Sequence, residues 1–138
     1  MPAAIIPATT RYDLAQGDAQ DLAARWERLA VEWLATRKSE RTRRAYAVAL
    51  SRFYAAVNLA PWQVDRADVA RYAHQLEREG KSDAPRAARL AALSAFYRYA
   101  QDAGLIDRNP CQGVPRPVVE PYGRAVALTR EQAAAVLR

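Results

Sequence analysis

Ser39-Glu40-Arg41-Thr42-Arg43-Arg44-Ala45-Tyr46-Ala47-Val48-Ala49-Leu50-Ser51-Arg52-Phe53-Tyr54 divides its side chains between two faces of one helix. Tyr46, Leu50, Phe53 and Val57 recur at helical spacing and form one apolar side. At roughly 100° per residue, Arg41, Arg44, Ser51 and Arg52 point the opposite way. The stretch holds four arginines against one acid, so its outer face is positive. A helix of this kind is anchored by its apolar side and offers cations and hydrogen-bond donors outward. A phosphate backbone asks for such an element.

Working outward, Ser39 is the expected N-cap of this helix, which runs to about Val57. Before it, Leu22, Trp26, Leu29 and Trp33 mark the stripe of a first helix, capped by Asp18 or Asp21 and ending near Arg37. Residues 1–17 hold two prolines and no period, which predicts a mobile arm. After the basic helix, Asn58-Leu59-Ala60-Pro61 breaks the pattern. Asp65, with Asp68 three residues on, reads as an acidic capping box for a third helix with Val69, Tyr72, Ala73 and Leu76 inward. Gly80 suits its left-handed end. A fourth helix is expected from about Pro85 to Ala103, with Leu90, Leu93, Tyr97 and Ala100 inward. Ala88, Ala91, Ala92 and Ala95 fall on its outer side, and Gly104 stops it. No segment has the alternation of a strand, so the expected fold is an all-α bundle of four short-linked helices.

The 138 residues suit one domain. Alanine supplies much of the 51% hydrophobic content and buries little area, so Trp26, Trp33, Trp62, Phe53, Phe96 and the seven tyrosines must carry much of the packing. The net charge of +6 favours an anionic partner. Cys111 and His74 are the only residues of their types, which excludes an internal disulfide and a zinc cluster; no cofactor is expected. Cys111 has no nearby base and is no nucleophile. No apolar run approaches the ~20 residues of a membrane span, and Met1–Thr10 lacks the basic start and apolar stretch of a signal peptide.

Two motifs resemble a known family. The first is Ser39-x-x-Thr42-x-x-x-Tyr46 with Leu50 and Phe53 following. The second is Leu90-Ala91-Ala92-Leu93-Ser94-Ala95-Phe96-Tyr97-Arg98-Tyr99-Ala100, continuing to Gly104-Leu105-Ile106-Asp107-Arg108-Asn109-Pro110. Together they resemble the N-terminal core-binding domain of tyrosine recombinases, the phage-integrase superfamily. Leu128-Thr129-Arg130-Glu131-Gln132-Ala133-Ala134-Ala135-Val136-Leu137 is similar to the first helix of that family's catalytic domain, and Thr129 to Gln132 reads as its capping box. The sequence ends inside this pattern, which is expected of a fragment whose catalytic domain follows.

The resemblance implies a SAM-like orthogonal four-helix bundle over residues 18–106, a linker over 107–127 and the start of the catalytic domain at 128–138. It implies one jaw of a clamp around double-stranded DNA, with the second and fourth helices in the major groove. Arg41, Thr42, Arg43, Arg44 and Arg52 would face DNA from the second helix, and Lys81, Ser82, Arg86 and Arg89 from the start of the fourth. Pro115-Arg116-Pro117 and Arg124 either follow the DNA backbone or merely tether the two jaws. The family's catalytic arginines, lysine, histidines and tyrosine nucleophile have no counterpart here, so no strand transfer is expected of the chain alone. It would be monomeric and cytoplasmic, at the bacterial nucleoid when bound to DNA, while the parent protein would assemble on its recombination site. The rival reading is a protein-interaction bundle whose basic face meets an acidic protein.

Overall fold

Ser39 caps the basic helix as its sequence predicts. Its backbone is extended and its Oγ accepts the N–H of Thr42 at 3.2 Å. The structure, a computed structural model, describes residues 16–117, with side chains from residue 18. Most of the expected N-terminal arm, Arg124 and the expected fifth helix lie outside these residues. Four α-helices follow in order, α1 (Gln16–Ala35), α2 (Glu40–Val57), α3 (Arg66–Arg78) and α4 (Asp83–Asp102), with a 3-10 turn at Pro61–Gln63 between α2 and α3. No strand occurs among the described residues. The bundle is all-helical, as the sequence predicts.

The local chemistry at the helix ends explains most boundaries. Asn58 ends α2 in the left-handed region, which asparagine tolerates. Asp65 and Asp68 each accept the other's backbone N–H, at 2.9 and 3.0 Å, and so close the predicted capping box of α3. The hydrogen bond from the Asp68 backbone holds the Asp65 carboxyl below the ordinary aspartate value. Gly80 and Gly104 take positive φ just beyond α3 and α4, as their positions require.

Three boundaries differ from the sequence reading. Helix α1 begins at Gln16, so Asp18 sits inside the first turn and favours the positive helix end instead of capping it. It also stops at Ala35, where the Thr36 hydroxyl donates to the Trp33 carbonyl at 2.6 Å. Helix α4 begins at Asp83, two residues before Pro85. Its first turn has free N–H positions, so a proline there removes no helical bond.

Helices α2 and α4 form the frame, since each packs against all three other helices. The aromatics interlock across it. Trp26 meets Phe96 edge-on at 5.9 Å, Trp33 meets Phe96 at 5.3 Å, and Phe53 meets Tyr72 edge-on at 5.0 Å. Each ring is buried. Truncating one would cost about 3–5 kcal/mol, a large share of a domain's total of about 5–15 kcal/mol. The rings are therefore committed to packing and are not available to stack on bases. Ala92 corrects the sequence reading: it is buried, facing α2, and the outer alanine face of α4 reduces to Ala88 and Ala91 with half-buried Ala95.

The expected linker also differs. Residues 105–117 return over the bundle as a strap. Leu105, Ile106 and Val114 pack on the core and Cys111 is buried. Asn109 donates from Nδ2 to the Ser94 carbonyl at 3.0 Å and accepts the Cys111 N–H at 2.8 Å. The absence of helical period predicts a linker from residue 107, but its bond to Ser94 and its packing on the core are made with partners distant in sequence.

Candidate nucleic-acid interface

Arg41, Arg44, Val48, Ser51 and Arg52 are all exposed, on the side of α2 away from Leu50 and Phe53. Arg41 and Arg52 pair with no acid among the described residues. Arg44 meets Glu40 at 3.0 Å, with both side chains largely in solvent. Such an exposed pair contributes at most about 0.2–1 kcal/mol and yields readily to a stronger anion. Thr42 is half-buried at the helix start. Arg43 turns the other way: its Nη1 donates to the Arg37 carbonyl at 2.6 Å and locks the α1–α2 corner.

At the start of α4 the expected residues divide in the same manner. Arg86 donates Nε to the Lys81 carbonyl at 3.2 Å and Nη2 to Asp83 at 2.5 Å, and only 17% of its side chain is exposed. It clamps the helix start. Lys81 is half-buried, 3.9 Å from Glu79. Ser82 is the N-cap residue but its hydroxyl makes no capping bond, and it remains exposed. Arg89 lies beside the Tyr72 hydroxyl, and Arg52 acts on the same group. Burial raises the Tyr72 pKa while these two guanidinium groups oppose the rise. Arg52 of α2 and Arg89 of α4 thus share one corner over α3.

Between α2 and α4 runs a cleft of about 520 Å³ lined by Arg44, Val48, Pro85, Ala88 and Arg89. Its floor is mostly alanine and its rim is cationic, so a backbone or a sugar edge can come close while both arginines reach it. A second cleft, of about 370 Å³, borders the other flank of α4 and is lined by Arg37, Ala91, Arg98 and Arg116. Arg37 is held by stacking: Trp33 and Tyr46 lie parallel at 5.1 Å, and the guanidinium sits 5.6 Å from one ring and 5.9 Å from the other.

Val48, Arg37 and Arg98 escaped the sequence reading. Arg98 was legible, because it continues the alanine face of α4 at Ala91 and Ala95. Val48 lies in the middle of the arginine stripe with 47% of its surface exposed. Arg37 carried only part of its signal locally, since Trp33 stands four residues before it but Tyr46 comes from α2.

Among the described residues no three His, Cys, Asp or Glu side chains come together as a metal site requires. Burial pushes the Cys111 thiol up to about 12, so it stays protonated at neutral pH and is a poor nucleophile. No helix among the described residues is long and apolar enough to cross a membrane.

These elements define a small helical bundle with a cationic face spread along α2 and α4. Residues 28–104, more than half of the chain, match the family of the phage integrase N-terminal SAM-like domain, and the chain belongs to that family. The match includes no catalytic domain. Neither the comparison with curated proteins nor that with solved structures gave a match.

Proposed function

We propose that this domain binds double-stranded DNA as the N-terminal clamp of a site-specific tyrosine recombinase and positions that enzyme on its recombination site. The observation that carries the reading is the arginine set of Arg41, Arg44, Arg52 and Arg89. It comes from two adjacent helices: Arg44 and Arg89 border one alanine-floored cleft, and Arg41 and Arg52 are exposed along the same side of α2. Phosphate contacts supply most of the affinity, and the free Ser82 hydroxyl adds a neutral donor at the start of α4. Exposed Val48 suits the methyl group of a thymine in the major groove, and an arginine reaching a guanine edge discriminates by about 1–3 kcal/mol. The chemistry of strand exchange belongs to a separate catalytic domain, and this domain acts as a monomer that orients it.

Fluorescence anisotropy with a labelled duplex at several salt concentrations tests the proposal. The expected slope of log K against log salt is about −0.9 for each phosphate contacted. The double substitution Arg41→Ala with Arg44→Ala weakens binding several-fold and makes the slope shallower by nearly two, with thermal stability little changed. Unchanged binding at low salt overturns the proposal. In that event an acidic protein becomes the better candidate partner for the same face.

A further inference from the structure

The strap and the second cleft are one construction. Gln101 Nε2 donates to the Asp107 carbonyl at 3.0 Å, and Asn109 ties the next turn to the Ser94 carbonyl at 3.0 Å. Arg66 of α3 donates Nη2 to the Gly113 carbonyl at 3.2 Å. Gly113 has φ of +82°, a left-handed backbone conformation that favours glycine at this turn. This turn sends the chain back over α4 and brings Arg116 to Arg37 and Arg98. The three guanidinium groups come from the end of α1, from α4 and from the strap. None forms an ion pair among the described residues. Asp102 lines their cleft and Glu32 reaches its edge through the Tyr99 hydroxyl, so the acids balance the three cations only in part.

Three cations around one cleft, only partly balanced by acids, repel each other, and an anion relieves that repulsion. The alanine face of α4 joins this cleft to the first one. Ala88 borders the first cleft and Arg98 the second, and the step of ten residues from one to the other spans about 15 Å along the helix. A duplex lying along α4 would meet both. We propose that Arg37, Arg98 and Arg116 form a second phosphate-backbone seat that exists only while residues 105–117 are docked, so that DNA binding and strap docking stabilise each other. The inference rests on the DNA-binding reading above. The reciprocity follows from linkage: if docking raises affinity for DNA by some factor, DNA favours docking by the same factor.

Cys111 makes both halves measurable in the full chain. It is the only cysteine, it lies within the strap, and it is buried while the strap is docked. The rate of its modification by an aromatic disulfide reagent therefore reports strap opening. Arg98→Ala and Arg116→Ala are each expected to weaken duplex binding several-fold and to make the salt slope shallower by about 0.9. Saturating duplex is expected to slow Cys111 modification several-fold. Asn109→Ala is expected to speed modification and weaken DNA binding together. Gly113→Ala serves the same purpose with no buried contact removed, should Asn109→Ala fail to fold. If Arg98→Ala and Arg116→Ala bind duplex as the unaltered chain does, while the Arg41 and Arg44 double substitution weakens it, the seat is refuted and the main DNA face stands. If duplex leaves Cys111 modification unchanged, the coupling is refuted. No duplex binding at all at low salt refutes both readings.

Discussion

Tyr97 is fully buried, and its hydroxyl lies between two partners. It accepts from the Tyr54 hydroxyl at 2.7 Å and donates to the Pro61 carbonyl at 3.0 Å. This chain ties α2, α4 and the turn after α2 together inside the core. Burial drives both phenols well above their ordinary pKa, so the pair stays neutral and hydrogen-bonded. Tyr72 is nearly as buried, and its hydroxyl has only the Arg89 guanidinium beside it, short of a well-formed hydrogen bond. The same chemical deletion therefore has different consequences at the two positions. Tyr97→Phe leaves the Tyr54 hydroxyl and the Pro61 carbonyl without their buried partner, and is expected to lower stability by about 1–3 kcal/mol. Tyr72→Phe gives up only the weak approach of Arg89, and is expected to change stability by less than about 1 kcal/mol. Urea denaturation of the two variants checks this. A loss at Tyr72 equal to that at Tyr97 would mean that its hydroxyl is satisfied after all.

Helices α2 and α4 both start at a serine, and the two serines do different work. Ser39 accepts the Thr42 N–H, whereas the Ser82 hydroxyl caps nothing. Ser39→Ala is expected to cost about 1 kcal/mol of stability. Ser82→Ala is expected to leave the melting temperature in place while weakening duplex binding modestly. A large thermal loss at Ser82 would contradict its free hydroxyl. The same contrast explains what the sequence made legible. The caps at Ser39 and at Asp65 with Asp68 rest on bonds between residues three apart, so local pattern alone reveals them. The inward stripes of α3 and α4 were equally clear from large apolar residues at helical spacing. Alanine was not so informative: Ala92 and Ala91 look alike in sequence, and only packing against α2 separates the buried one from the exposed one. Arg43 shows that more was readable. It stands three residues before Tyr46, on the inner side of α2, and its guanidinium accordingly binds backbone while Arg41 and Arg44 face out. The second cleft was beyond local reading, because its three arginines approach only after α1, α4 and the strap have docked.

At the scale of the whole molecule, the strap decides how much chain the folding unit needs. Leu105 and Ile106 pack on the core, and Cys111 and Val114 lie beside Val69 and Leu90. Leu105, Ile106 and Val114 are half-buried on the core, so each contributes part of the gain of a buried aliphatic side chain, against the cost of ordering the strap backbone. Three prolines, at 110, 115 and 117, reduce that cost by limiting the freedom of the open strap. The bonds to Ser94 and from Arg66 add to the apolar gain, and docking is expected to stabilise the domain by about 2 kcal/mol. A chain shortened to end at Gly104 should therefore keep its helical signal but melt about 10 °C lower than one ending at Pro117. The chain ending at Pro117 should melt with the full chain. Circular dichroism melts of the three lengths make the comparison. Equal melting of the two shortened chains would reduce the strap to a tether. A lower melt for the Gly104 chain, with Cys111 protected only in the longer two, would establish that the folded unit includes the strap. The direction in which any following domain leaves would then be set by a docked segment and not by a free linker.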